Sequence, residues 1–145
     1  MSIKSRLRAL AFAMALCAIC NADTLVITGD GWTDPSIPRV HMPLAVSIIQ
    51  IIVNSKDYDG RRIAVQGFLS LRQDDFRVYM SSEFYRYGQA EYAVRLGIDR
   101  SGEQASRFLE GKYVYVEGTF HAVTDLDGSV GEIDSVRRVV RLAVP

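Results

Sequence analysis

Cysteine is nearly absent: there are two in 145 residues, Cys17 and Cys20, both within the first 22 positions. A chain that loses those positions on export has no disulfide staple, and its stability must come from its core. Histidine is equally scarce. His41 and His121 have no neighbours at metal-ligand spacing, so the residues point to neither a metal nor a cofactor. There is no Gly-x-Ser-x-Gly, no glycine-rich phosphate cradle and, beyond residue 22, no cysteine nucleophile. Nucleophile-and-base catalysis therefore has no support, and the expectation is a protein that is not an enzyme. One uncharged, mostly apolar run exists, Ala9 to Cys20, and its twelve residues fall short of the roughly 20 that span a bilayer.

That run has the makings of an export signal. Lys4, Arg6 and Arg8 give it a basic head, and Cys20-Asn21-Ala22 offers small side chains where a signal peptidase reads. Residues 1–22 are accordingly expected to be a signal peptide, leaving a periplasmic or secreted protein with no transmembrane segment. An outer-membrane lipoprotein is the lesser alternative, because Leu16 and Ile19 stand where small residues should precede Cys17 or Cys20. Loss of the basic head leaves 14 basic against 17 acidic side chains, a net charge of −3. Nucleic-acid binders carry a basic surplus or a clustered basic face, so composition argues against a nucleic-acid partner.

Residues 23–43 hold Pro35, Pro38 and Pro43 with Gly29, Gly31 and Trp32, which predicts an extended linker with a possible edge strand at Leu25-Val26-Ile27. The character changes at Leu44, where a single domain running to residue 145 begins. Ser47 and Gln50 match a capping box opening a helix rich in isoleucine (Ile48, Ile49, Ile51, Ile52) that ends near Asn54 and docks on the open end of a barrel. Alternation then predicts a first strand over Arg62 to Arg72, with Ile63, Val65, Leu69 and Leu71 inward. A second strand over Phe76 to Met80 and a third over Ala90 to Ile98 follow. Ser101 caps a short helix with an apolar stripe of Ala105, Phe108 and Leu109, and Gly111 ends it. A fourth strand covers Lys112 to Val123 and a fifth Val130 to Leu142, with broken alternation implying a bulge near Ser135.

Two phrases carry a resemblance: Tyr58-Asp59-Gly60-Arg61-Arg62-Ile63-Ala64-Val65-Gln66-Gly67 and Gly111-Lys112-Tyr113-Val114-Tyr115-Val116-Glu117-Gly118. With three strands, a helix and two more strands, they resemble the exported bacterial OB-fold proteins, in which such glycine-ended phrases recur in the first and fourth strands. The resemblance covers Arg61 to Leu142. It implies a mainly β, five-stranded Greek-key barrel, with one helix between its third and fourth strands and here an extra apolar helix in front. It also implies a binding module more than an enzyme.

The fold implied by this resemblance presents ligands to the outer face of the second and third strands. Alternation puts Arg77, Tyr79 and Arg95 there, with Phe84, Tyr85 and Tyr87 in the adjoining connection, and Tyr113 and Tyr115 also turn outward. Aromatics beside arginines can stack bases or sugars or anchor a protein. The competing reading makes the tyrosines ordinary cross-strand pairs and Phe84 and Tyr87 plugs of a barrel mouth. Arg137, Arg138 and Arg141 suggest a solvated edge that resists strand addition. Asp125-Leu126-Asp127-Gly128-Ser129, with Glu132, fits a hairpin turn better than a calcium loop, which needs more oxygens at fixed spacing. The expected activity is non-catalytic recognition of a protein or small uncharged ligand, the alternative being an oligonucleotide- or oligosaccharide-binding module.

Exported material should begin at or near Asp23 by intact-mass measurement. A retained leader, or an acylated Cys17 or Cys20, contradicts the assignment of residues 1–22.

Overall fold

The capping box forms as the sequence requires. In a computed structural model that describes residues 31–34, 42–72, 75–123 and 128–143, the Ser47 hydroxyl accepts from the Gln50 backbone N–H, and the Gln50 side chain accepts from the Ser47 N–H. This starts α1 (Ile48–Asn54), which passes into a 3₁₀ turn at Ser55–Tyr58. A single helix can press only one side into a core. Ile48 and Ile51 are buried and Ile52 partly so, while Ile49 and Val53 stay exposed, so the expected broad docking face is narrower than the isoleucine count suggests. α1 packs against the first long strand and the Ala90–Tyr92 turn. The segment expected to be a signal peptide, most of the expected linker and Asp125-Leu126-Asp127 lie outside the described residues.

The other elements are β1 (Gly31–Thr33), β2 (Leu44–Ala45), β3 (Arg62–Arg72), β4 (Asp75–Tyr79), α2 (Ser82–Arg86), β5 (Ala93–Leu96), α3 (Arg100–Ser106), β6 (Tyr113–His121) and β7 (Glu132–Arg141). The protein is mainly β, with its strands in one mixed sheet. β3 pairs antiparallel with β4 and β6, β4 with β5, and β6 with β7, while β5 meets β7 in parallel through Arg95↔Glu132 and Leu96↔Ile133. The pairings return to their start, a ring of five strands with β1 added to β7 and β2 added in parallel to β3. Val65, Leu69, Val78, Val94, Val114, Val116, Phe120, Ile133 and Val139 fill the interior.

Several expectations need correction. The described part of the linker supplies strand β1, whose Gly31–Thr33 pair with Val140–Arg138. β7 therefore has β1, β5 and β6 as partners, and its arginines do not guard an open edge. Arg137 lies 3.8 Å from Glu117 and is largely covered. The cap of α3 is Asp99, whose carboxylate accepts from the Gly102 N–H at 2.8 Å, not Ser101. The helix tightens to 3₁₀ after Ser106, which buries Leu109 but turns Phe108 out. The bulge does form at Ser135: φ is +46° there, and the β6–β7 register slips between the Glu117 and Thr119 pairs.

Two glycines make the ring possible. A Cβ on Gly67 would lie 2.3 Å from the Tyr79 carbonyl oxygen and 2.5 Å from Val78 Cγ1. One on Gly118 would lie 2.5 Å from Ile133 Cγ2 and 2.7 Å from the Asp134 carbonyl oxygen, opposite the bulge.

Gly67→Ala should cost about 1–3 kcal/mol in denaturant unfolding, as overpacked cores do. Gly88→Asn should be milder, since Gly88 has φ +65° with nothing near its missing Cβ and Asn tolerates that conformation. Val114→Asp should abolish the cooperative transition, because an uncompensated buried charge costs several kcal/mol.

Candidate functional site

β4 and β5 carry Arg77, Tyr79 and Arg95 on the side of the sheet away from the core, as alternation requires. Their expected exposure is corrected. Arg77 retains 5% and Tyr79 8% of its accessible surface. The Arg77 Nε donates to Asp75 Oδ1 at 2.7 Å, and Arg95 sits half-buried in register with Arg77.

The cover over Tyr79 is α2, a single helical turn folded back on the sheet within the connection that holds Phe84, Tyr85 and Tyr87. Its Tyr85 ring lies 5.4 Å from Tyr79, edge-on, and 5.1 Å from Phe68, with the Arg72 guanidinium 4.8 Å over its face. Phe84 stacks on Tyr92 at 4.3 Å. Tyr113 packs edge-on to Phe68 and exchanges hydrogen bonds with Ser82: the Ser82 N–H donates to the phenol at 3.2 Å, and the phenol donates to Ser82 Oγ at 3.4 Å. Aromatic pairs of this kind contribute about 0.5–1.5 kcal/mol each beyond their area. Of the six site residues expected from sequence, Tyr79 and Tyr85 meet in this cluster, Phe84 joins Tyr92, Arg77 is ion-paired, Arg95 lies one strand away, and Tyr87 points to solvent.

The environment tunes two phenols in opposite directions. Burial pushes Tyr79 above the ordinary tyrosine value of 10.0, outweighing the nearby Arg77. The hydrogen bonds with Ser82 hold Tyr113 below it.

An apolar groove of about 540 Å³ opens beside this cluster. Its floor is the outer surface of β3 and β6: Ala64 and Gln66 from one, Tyr113 and Tyr115 from the other, with Gln66 directly opposite Tyr115. Val46, Ile48 and Ile49 form one bank, and Met80 and Leu142 also line it. None of the described residues lining it is charged. Of its lining, Ile49 is an exposed large apolar side chain. The outward tyrosines were legible from alternation. The bank was not, because it depends on Leu44-Ala45 pairing with Ile63-Ala64 across a parallel register that no local pattern announces.

Two clusters elsewhere pair charges across strands. Glu117, nearly buried, accepts from Arg62 Nε at 3.2 Å and Nη2 at 3.0 Å. His121 sits between two carboxylates, Nδ1 3.8 Å from Asp59 and Nε2 3.2 Å from Asp134. Those carboxylates address opposite ring nitrogens, and among the described residues no three His, Cys, Asp or Glu are grouped to hold a metal ion. His41 lies outside the described residues. No model of a known protein family matches the chain, and no curated protein matches it.

Tyr79 should ionise after Tyr113 in a phenolate titration that resolves the two, and Tyr85→Ala should return it toward 10.0 by opening its cover. A raised folded-state value means the stability it supports is present below pH 10 and lost as pH climbs past it. Tyr79→Phe should therefore lose less stability per pH step in that alkaline range. A late phenol unmoved by Tyr85→Ala contradicts the covering role of α2.

Proposed function

We propose that this chain is an exported, non-catalytic binding module built on an OB-fold, recognising a protein or a small uncharged ligand in the periplasm. The ring of pairings supports the fold assignment. Numbered along the ring's own five strands, first joins second, second joins third, third joins fifth in parallel, fifth joins fourth and fourth rejoins first, which is compatible with a five-stranded Greek-key barrel. The helix α3 between the third and fourth of those strands fits the same scheme.

The observation that carries the ligand class is the uncharged lining of the groove. Phosphate recognition rests on lysines and arginines that neutralise the backbone, and the affinity they confer falls steeply with salt. Here Arg62 and Arg77 are engaged with Glu117 and Asp75, so the outer face offers little to a polyanion. The burial of Arg77 and Tyr79 also changes what a test must use. Truncating both would disturb the fold as well as any binding.

The measurement is a titration of labelled single-stranded DNA with the mature protein at low and physiological salt, alongside capture from periplasmic extract at both. The expected result is no appreciable DNA binding at physiological salt and a captured set that does not change with salt. Tight, salt-sensitive DNA binding would promote the oligonucleotide alternative and overturn this reading.

A further inference from the structure

We infer that the groove between β3, β6 and the start of α1 is the binding site, and that its ligand is a small uncharged molecule with an apolar body and one amide-type polar group. The inference rests on the binding-module reading and specifies its site and ligand. It moves that site from the Arg77–Tyr79 face, where α2 packs on Tyr79 and Arg77 is buried, to a surface that nothing described covers.

Size is the first argument. About 540 Å³ falls within the roughly 300–1,000 Å³ of small-molecule sites, which are mostly apolar with a few placed polar groups. The second argument is the edge of β3. On the side away from β6, β3 pairs with β2 at Ile63 and Ala64 and with β4 from Phe68 onward. Gly67 already lies against Tyr79 of β4, so among the described residues the stretch without a neighbouring strand is Val65 and Gln66, an opening of about 7 Å at 3.3 Å per residue. A small molecule fits such a window and an added strand does not.

The third argument is the polar group in that window. Arg61 accepts from the Phe120 N–H and Leu69 donates to the Lys112 carbonyl, so odd-numbered residues of β3 turn their backbone toward β6. By alternation Gln66 turns its N–H and C=O away from β6, toward the opening, in the sense that Ala64 turns its carbonyl to Val46. The exposed Gln66 side-chain amide makes no hydrogen bond among the described residues, whereas Ser47, the other amide-sized polar group on the bank, is committed to the capping box. One amide carries both a donor and an acceptor, which an amide in the ligand complements. A charged head would be desolvated against apolar walls with no counter-charge, and is excluded on that cost.

The test uses the mature protein and three probes that share one tail: N-octylacetamide, octanoate and octylammonium. Backbone amide shifts in NMR titrations locate the site. N-octylacetamide should move Val46, Gln66, Gly67 and Tyr115 with saturable curves, and the two charged probes should bind at least tenfold more weakly. Gln66→Leu should weaken N-octylacetamide by about threefold to tenfold, the worth of one hydrogen bond. Ile49→Glu, at an exposed position, should abolish binding while the thermal midpoint stays close to wild type. Shifts confined to Arg77, Tyr79 and Arg95 would overturn the groove assignment and leave a binding module standing. Equal affinity for all three probes, or no saturable shift in the groove, would overturn the ligand class whatever the DNA titration gives.

Discussion

The approach of the Gly67 backbone to the carbonyl oxygen of Tyr79 is the constraint on which the rest of the structure depends. β3 must serve β6 along its whole length while its other edge passes from β2 to β4. Any side chain at residue 67 would hold β4 off by more than an ångström, because even a methyl carbon would sit 2.3 Å from that oxygen. With β4 displaced, β5 could not reach β7, and the two-residue parallel contact that closes the ring would open. Gly118 has the matching role on β6, where the Ser135 bulge bends β7 over it. The interior then closes on β-branched and aromatic side chains, the type that packs well on pleated surfaces.

On the outer surface the same curvature sorts charge from apolar area. Glu117 is held in register with Ala64 and Arg138, where Arg62 and Arg137 reach it. Removing either arginine would leave the carboxylate less compensated in a nearly buried setting, which costs more than the pair itself contributes. Two residues before Glu117 on the same face begins the tyrosine floor of the groove, so neutral and ionic territories adjoin without mixing. Tyr113 belongs to both systems: its ring lines the groove, and its hydroxyl fastens α2 through Ser82. The aromatic cover and the groove therefore share a side chain, and a change in one is felt by the other.

What the sequence made legible was local. The Ser47–Gln50 cap, the bounds of β3 from Arg62 to Arg72, the inward set of β6 and the bulge near Ser135 each leave a mark within a few residues. What it concealed was long-range. Ala64 and Ser70 alternate with the inward residues of β3 yet are buried as well, a burial that depends on distant elements. Tyr79 looked exposed because its cover, α2, is a five-residue helix whose aromatic content resembled a loop's. Asp99 caps α3 because the helix begins at Arg100, which puts Ser101 inside its first turn, and a carboxylate accepting from the Gly102 N–H also meets the positive end of the helix.

β7 is the last of the ring's strands to be made, yet β1, β5 and β6 all wait for it. Gly31 meets Val140, a separation spanning most of the chain, and such distant contacts must meet their loop-closure entropy before any of them stabilises the structure. No partial product lacking β7 can close the ring. Closure therefore comes late in the chain's assembly, and the earlier strands stay without their shared partner until β7 exists.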